Sequence, residues 1–191
     1  MKKYFFMLFF FLAFLFGESA DFAKKLSNAA LTLTEDSVSY NAAYFKIPYP
    51  DGDIPAEFGV CTDVVIRAYR KTGIDLQKEV HEDMAANFDK YPKNWGAKST
   101  DKNIDHRRVP NLMKFFERHG KVKPITDNAK DYDAGDIVAW RLENGAMHIG
   151  IVSDKKSPDE SRYMIVHNIG FGQVVEDCLF CYKIIGHYVY Q

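Results

Sequence analysis

Apolar positions recur along this chain with two different spacings, and the change falls near residue 121. Phe22, Leu26, Ala29, Ala30 and Leu33 repeat at three and four residues, which predicts a helix from Asp21 to about Thr34. Val64, Val65, Ala68 and Tyr69 predict a second from Cys61 to Lys71, with Gly73 as its stop. Leu76, Val80, Met84 and Phe88 recur every four residues and predict a third from Leu76 to Tyr91, ended by Pro92. Pro110 in a first turn and Gly120 just past an end frame a fourth, from Val109 to His119. A loop rich in Tyr, Pro and Asp (Tyr40 to Pro55) and a polar stretch (Lys93 to Arg108) separate these helices.

Beyond residue 121 the apolar runs are short and bounded by Gly, Asp, Asn or Pro. Ile137–Trp140, His148–Val152, Tyr163–His167 and Ile184–Tyr190 read as strands, and Val174-Val175 begins another. Helices first and strands second predict an α+β fold, with N-terminal helices packed on one side of an antiparallel sheet. The chain shows no internal repeat, low-complexity tract or long linker. One domain is therefore expected over residues 20–191, with a helix and linker over 20–45 and the core from 46 onward.

Residues 1–19 stand apart. Lys2 and Lys3 precede an unbroken apolar run of 13 residues, Tyr4 to Phe16, followed by Gly17-Glu18-Ser19. This is the pattern of a secretory signal, with cleavage expected after Ser19; the alternative is an uncleaved N-terminal anchor, the one membrane contact expected. Either way the protein is expected outside the cytoplasm, in a bacterial envelope or beyond it. The full chain has 191 residues, 47% hydrophobic, with 25 basic and 26 acidic side chains. Without the leader 23 basic and 25 acidic residues remain, a balance that excludes the basic footprint of a nucleic-acid binder.

Export changes how three cysteines are read, since exported proteins tend to pair their thiols and three is odd. Cys178 and Cys181 are close in sequence and are expected to form a structural disulfide, provided a turn lies between them. Cys61 is then the lone thiol, and it opens a helix. There the helix dipole and exposed amides favour the attacking thiolate, so Cys61 is expected to alkylate faster than free cysteine near neutral pH. Burial as a small hydrophobe is the plainer alternative.

Two histidines sharpen that choice. His148 opens one strand and His167 closes another; pairing Val152 with Tyr163 pairs 148 with 167 and points both imidazoles from one face. One ring can then serve Cys61 as base while the other fixes its orientation.

Gly59-Val60-Cys61-Thr62-Asp63, Ala134-Gly135-Asp136-Ile137-Val138, His148-Ile149-Gly150-Ile151-Val152 and Ile165-Val166-His167 resemble the NlpC-like branch of papain-like cysteine hydrolases. More closely, residues 25–190 resemble the bacterial family catalogued as domain of unknown function 1287. That likeness rests on Cys61-Thr62-Asp63-Val64-Val65-Ile66-Arg67-Ala68-Tyr69, Asn103-Ile104-Asp105-His106-Arg107-Arg108-Val109-Pro110-Asn111-Leu112 and His167-Asn168-Ile169-Gly170. The NlpC-like resemblance implies a papain-like fold, Cys61 as nucleophile, His148 as base and then acid, and His167 as orienting member. It also implies an amide bond of peptidoglycan stem peptides, or a related peptide, as substrate. One departure is Thr62-Asp63, where NlpC-like enzymes usually carry Ser-Gly: Asp63 could oppose the thiolate, hold a substrate amine or hold Arg67.

Further substrate contacts are expected from the stretch Asp105, His106, Arg107 and Arg108, whose guanidinium forks suit a carboxylate, and from Tyr49 and Tyr44 as oxyanion donors. His106 also competes with His148 for the role of base. No cofactor and no metal are expected: the chain has no Gly-rich phosphate loop, and Cys178 and Cys181 lack two further ligands. A non-catalytic binding module and an acyl or amide transferase are the alternative functions.

Overall fold

A computed structural model describes residues 20–191. The expected signal, its cleavage point and the anchor alternative lie outside the described residues. Residues 20–32 are helical (α1), and a short 3-10 turn, Leu33–Glu35, ends them. Two-residue strands Ser39–Tyr40 (β1) and Phe58–Gly59 (β2) pair in parallel and bring the Tyr-Pro-Asp loop back to the start of α2, Cys61–Lys71. Val60 stays extended, and its N–H donates to the Asp63 carboxylate at 2.8 Å, which satisfies a donor at the helix entrance.

Asp75 caps α3, Leu76–Ala86, by accepting from Gln77 N at 3.0 Å. This helix ends five residues before the expected Tyr91. Asn87 leaves the helical region, and its backbone N–H and side-chain amide both bond the Asp83 carbonyl, so the apolar spacing runs on into a 3-10 turn, Phe88–Lys90. Helix α4, Val109–His119, carries Pro110 in its first turn.

The strands are Lys121–Val122 (β3), Ile137–Arg141 (β4), Met147–Lys156 (β5), Tyr163–His167 (β6), Val174–Glu176 (β7) and Lys183–Val189 (β8). They form one sheet in the order β3-β8-β4-β5-β6-β7, every neighbouring pair antiparallel. The architecture is α+β, and no helix among the described residues is long and apolar enough to cross a membrane.

The sheet is buried on both faces. Ile137, Ala139, Ile149, Ile151 and Val166 pack with Leu26, Val64, Val65, Leu112 and Phe116 of the helices. Val138, Trp140, Val152 and Ile165 point the other way, into a smaller core closed by Tyr132, Cys178 and Leu179. This alternation fixes which face each side chain on β5 and β6 takes.

The β5–β6 register corrects the expected one. Ile151 faces Val166 and Val152 faces Ile165, so β6 is displaced by two residues from the pairing of 152 with 163. The strand does not stop at Val152; it continues through Asp154, Lys155 and Lys156, which are exposed, and the turn falls later. Ser153 Oγ donates to the Met164 carbonyl at 2.8 Å across the irregular step, and Ser157 Oγ donates to Asp159 at 2.6 Å in the turn. An offset of two preserves the face, so His148 and His167 still project from the same side.

Candidate active site

Cys61 is the first residue of α2 and only 6% exposed. Its sulfur lies against the backbone amides of Ile149 and Thr62. These amides and the helix terminus pull its acidity in the expected direction, but burial outweighs them and, with Asp63 adding to it, pushes the thiol up from 9.0 to about 12. The expected resting thiolate is therefore not formed. A helix terminus is worth roughly 0.3–1 kcal/mol, too little to offset loss of solvent around a sulfur anion.

The two histidines meet. His148 Nε2 and His167 Nδ1 lie 2.8 Å apart, and His167 Nε2 lies 2.9 Å from the Glu176 carboxylate. Gly150 makes this approach possible: a Cβ there would stand 2.7 Å from Ile165 Cγ2 and 3.2 Å from His167 Cβ. The hydrogen-bond order assigns the tautomers. Glu176 can only accept, so His167 donates from Nε2 and accepts at Nδ1; His148 then donates from Nε2 and keeps its lone pair on Nδ1. Burial, with the charge of His167 behind it, lowers His148 to about 3, so it is a neutral base at neutral pH.

His148 and His167 belong to the face that carries Trp140, whose ring centroid lies 5.8 Å from that of His148. Cys61 belongs to the helix-side core. The two groups converge at the amide of Ile149, one residue along from His148, and no hydrogen bond joins the thiol to the imidazole. Nδ1 of His148 has no partner among the described residues. His187, buried in the same sheet, differs: Nδ1 bonds the Pro124 carbonyl at 3.0 Å and Nε2 the Asp136 carboxylate at 2.7 Å, which makes it structural.

Above Cys61 opens a cavity of about 630 Å³, lined among others by Tyr40, Tyr44, Thr62, Trp95, Arg107, Arg108, Arg141 and Met147. Of the expected substrate contacts, Arg107, Arg108 and Tyr44 reach it. Arg107 is already committed to Asp63 at 2.8 and 3.1 Å and to the Ala43 and Asn41 carbonyls. Tyr44 donates to Asp101 and accepts from Asn103. Asp63 is buried in that ion pair, so it opposes the thiolate and holds Arg107, not Arg67.

The others lie off the cavity wall. Arg67 pairs with Asp53 at 2.9 Å, beside a separate, smaller cavity. Asp105 is buried and holds the Asp101 amide at 2.7 Å and His81 at 3.3 Å. His106 is 2% exposed, with Nδ1 unpartnered, and burial lowers it to about 3; it faces no substrate space. Tyr49 packs edge-on against His81, under Lys102. The sequence reading does not single out Glu176, Trp95, Arg141 or Tyr40, and no local signal marks them, whereas Arg108, within the stretch expected to bind a carboxylate, does line the cavity.

Cys178 and Cys181 are both free thiols, which corrects the expected disulfide. A turn does lie between them, with Cys181 N–H donating to the Cys178 carbonyl at 3.1 Å. Cys178 points inward, 3.6 Å from His167 Nε2, whereas Cys181 is exposed. Among the described residues, His167, Glu176 and Cys178 form the one group that could hold a metal ion, their donor atoms lying within 4.8 Å of one another. Such an ion would take the His167 nitrogen that now donates to Glu176.

The family model described as Domain of unknown function (DUF1287) matches residues 27–190. The chain belongs to the DUF1287 family. The uncharacterized protein YijF of Escherichia coli strain K12 is 56% identical over 151 residues, 79% of this DUF1287 chain and 73% of that protein. Among solved structures, NlpC1 from Trichomonas vaginalis matches with a TM-score of 0.47 and 13% identity. The match covers 88% of this chain but 44% of that one, so the chain spans less than half of NlpC1.

Proposed function

We propose that this DUF1287 chain is an exported cysteine hydrolase that cleaves an amide bond in peptidoglycan stem peptides or a related peptide. One observation carries the reading: hydrogen bonds from Glu176 through His167 to His148 leave the Nδ1 lone pair unpartnered, on the strand whose next amide faces the Cys61 thiol. In this reading thiol and imidazole are both neutral at rest. As the substrate carbonyl reaches the thiol, His148 Nδ1 takes the proton and sulfur bonds the carbonyl carbon. His148 returns that proton to the departing amine as the C–N bond breaks, leaving a thioester. Water, deprotonated by the same nitrogen, then splits the thioester and restores the thiol. His167 holds the imidazole in its working tautomer, and Glu176 holds His167.

A second reading is a binding module on the same fold. It is favoured by the burial of Cys61, whose thiol is 6% exposed and makes no hydrogen bond to His148. Mass spectrometry of soluble peptidoglycan fragments, incubated with the wild-type chain or with Cys61→Ala, separates the two. New cleavage products from wild type alone are expected for the hydrolase. Retention of fragments by both proteins without any product would replace it with the binding module.

A further inference from the structure

The chain has seven arginines, all within the described residues. Five have a carboxylate partner: Arg67 and Arg70 share Asp53, Arg107 holds Asp63, Arg118 holds Asp83 and Arg162 holds Asp177. The two without one are Arg108 and Arg141, and both line the cavity over Cys61. Among the described residues, no Asp or Glu lines that cavity. The smaller cavity beside Arg67 and Arg70 makes the contrast: there Asp53 lies on the wall and has already taken both guanidinium groups.

Arg108 is also held in place. Its guanidinium carbon lies 4.0 Å from the centroid of the Trp95 ring. The indole fixes the plane of the fork and leaves its N–H edge free, the geometry that receives a carboxylate through two parallel hydrogen bonds. Trp95 itself is 66% exposed, and its backbone sits at φ 61°, a left-handed conformation that a bulky residue rarely adopts. Tyr40 and Tyr44, 48% and 53% exposed, line the same cavity. An apolar rim, a fixed fork and no competing acid describe a subsite for an anion carried on an organic body.

We propose that Arg108, stacked on Trp95 with Arg141 lining the same cavity, binds a free carboxylate of the substrate beside the bond presented to Cys61. This deepens the hydrolase reading and rests on it for the bond that is cut. The substrate class is an acidic peptide, one whose carboxylate lies outside the scissile amide.

The test measures binding without turnover. The full-length Cys61→Ala chain is titrated by calorimetry with L-alanyl-γ-D-glutamyl-L-lysine, and with the same peptide carrying both carboxyl groups as carboxamides. The free acid is expected to bind at least tenfold more tightly. Adding Arg108→Gln should remove that preference, Arg108→Lys should retain part of it, and Arg141→Gln should weaken it by a smaller factor. Circular dichroism identifies any variant that does not fold, in which case Trp95→Ala, at an exposed position, serves as the second arm and should also reduce the preference. Equal affinity for the two peptides, binding of neither, or a preference that survives Arg108→Gln overturns the proposal. Because this protein cannot turn over, absence of cleavage by the wild type leaves the binding result standing. Cleavage with no carboxylate preference would sink the subsite alone.

Discussion

The two faces of the sheet bury polar groups in opposite ways. On the helix side a full ion pair is enclosed: Arg107 and Asp63 bond each other twice, and every further hydrogen bond their side chains make is to a backbone group. On the other side a row of neutral imidazoles is enclosed, His148 on His167, ending at Glu176, whose side chain is 56% exposed. The first arrangement leaves nothing free to react. The second leaves one lone pair without a partner, and that is the group a proton transfer needs. A saturated buried network reads as scaffold, and an unsaturated one is what the proposed hydrolase would use.

Breaking one member on each face tests this contrast. Arg107→Ala strands a buried carboxylate and should cost about 3–5 kcal/mol in urea unfolding. His148→Ala removes a neutral ring and should cost less than half as much, while abolishing the proposed hydrolysis; equal losses would mean that both faces are scaffold.

Acid should act on the imidazoles and spare the ion pair. His148 and His106 titrate at about 3 in the folded chain against 6.5 when exposed, so below pH 6.5 the unfolded chain binds protons that the folded one refuses. Their contribution is intact above pH 6.5 and is lost as pH falls toward 3. Between pH 6.5 and 5.5 the two together should remove about 2 kcal/mol. His148→Asn should remove about half of that slope, as read by thermal unfolding at the two pH values. A slope unchanged by the substitution would place the titration elsewhere.

Gly150 is a finer probe of the histidine face alone. Gly150→Ala puts a methyl 2.9 Å from the Val166 carbonyl and 3.2 Å from His167 Cβ. It should cost about 1–3 kcal/mol and separate the two rings. A wild-type melting curve, or unchanged histidine resonances, would show that the gap is not needed.

The smallest expected effect concerns the thiols. Cys181, exposed, should alkylate with iodoacetamide at least fivefold faster than Cys61 or Cys178 at neutral pH, measured by peptide mass mapping. Cys61 reacting first would restore the resting thiolate and overturn the neutral mechanism.

What could be read from the sequence follows from how locally each feature is determined. The four helices and the main strands follow spacing and stop signals, and the shared face of His148 and His167 follows from the period of a strand. The acidity of Cys61 does not: its helix position is local, but the burial that reverses its effect comes from tertiary packing, and even the β5 amide it meets, Ile149, lies more than eighty residues away. Glu176 reaches His167 only through the β6–β7 pairing, where His167 faces Val174. Arg108 lies in the stretch expected to bind a carboxylate, but nothing local separates it from Arg107, which Asp63 has taken, or from Asp105 and His106, which lie off the cavity.

The β5–β6 hairpin has a consequence for how this scaffold can vary. Since the offset between the strands is felt only as odd or even, gain or loss of residues in pairs between Val152 and Tyr163 leaves the two imidazoles on the same side. A single insertion must be taken up by the irregular step or the turn, or it throws one of them across the sheet. The segment is thus permissive in length yet strict in parity, and it offers a place where chains of this kind can diverge in steps of two without rebuilding the chemistry beneath.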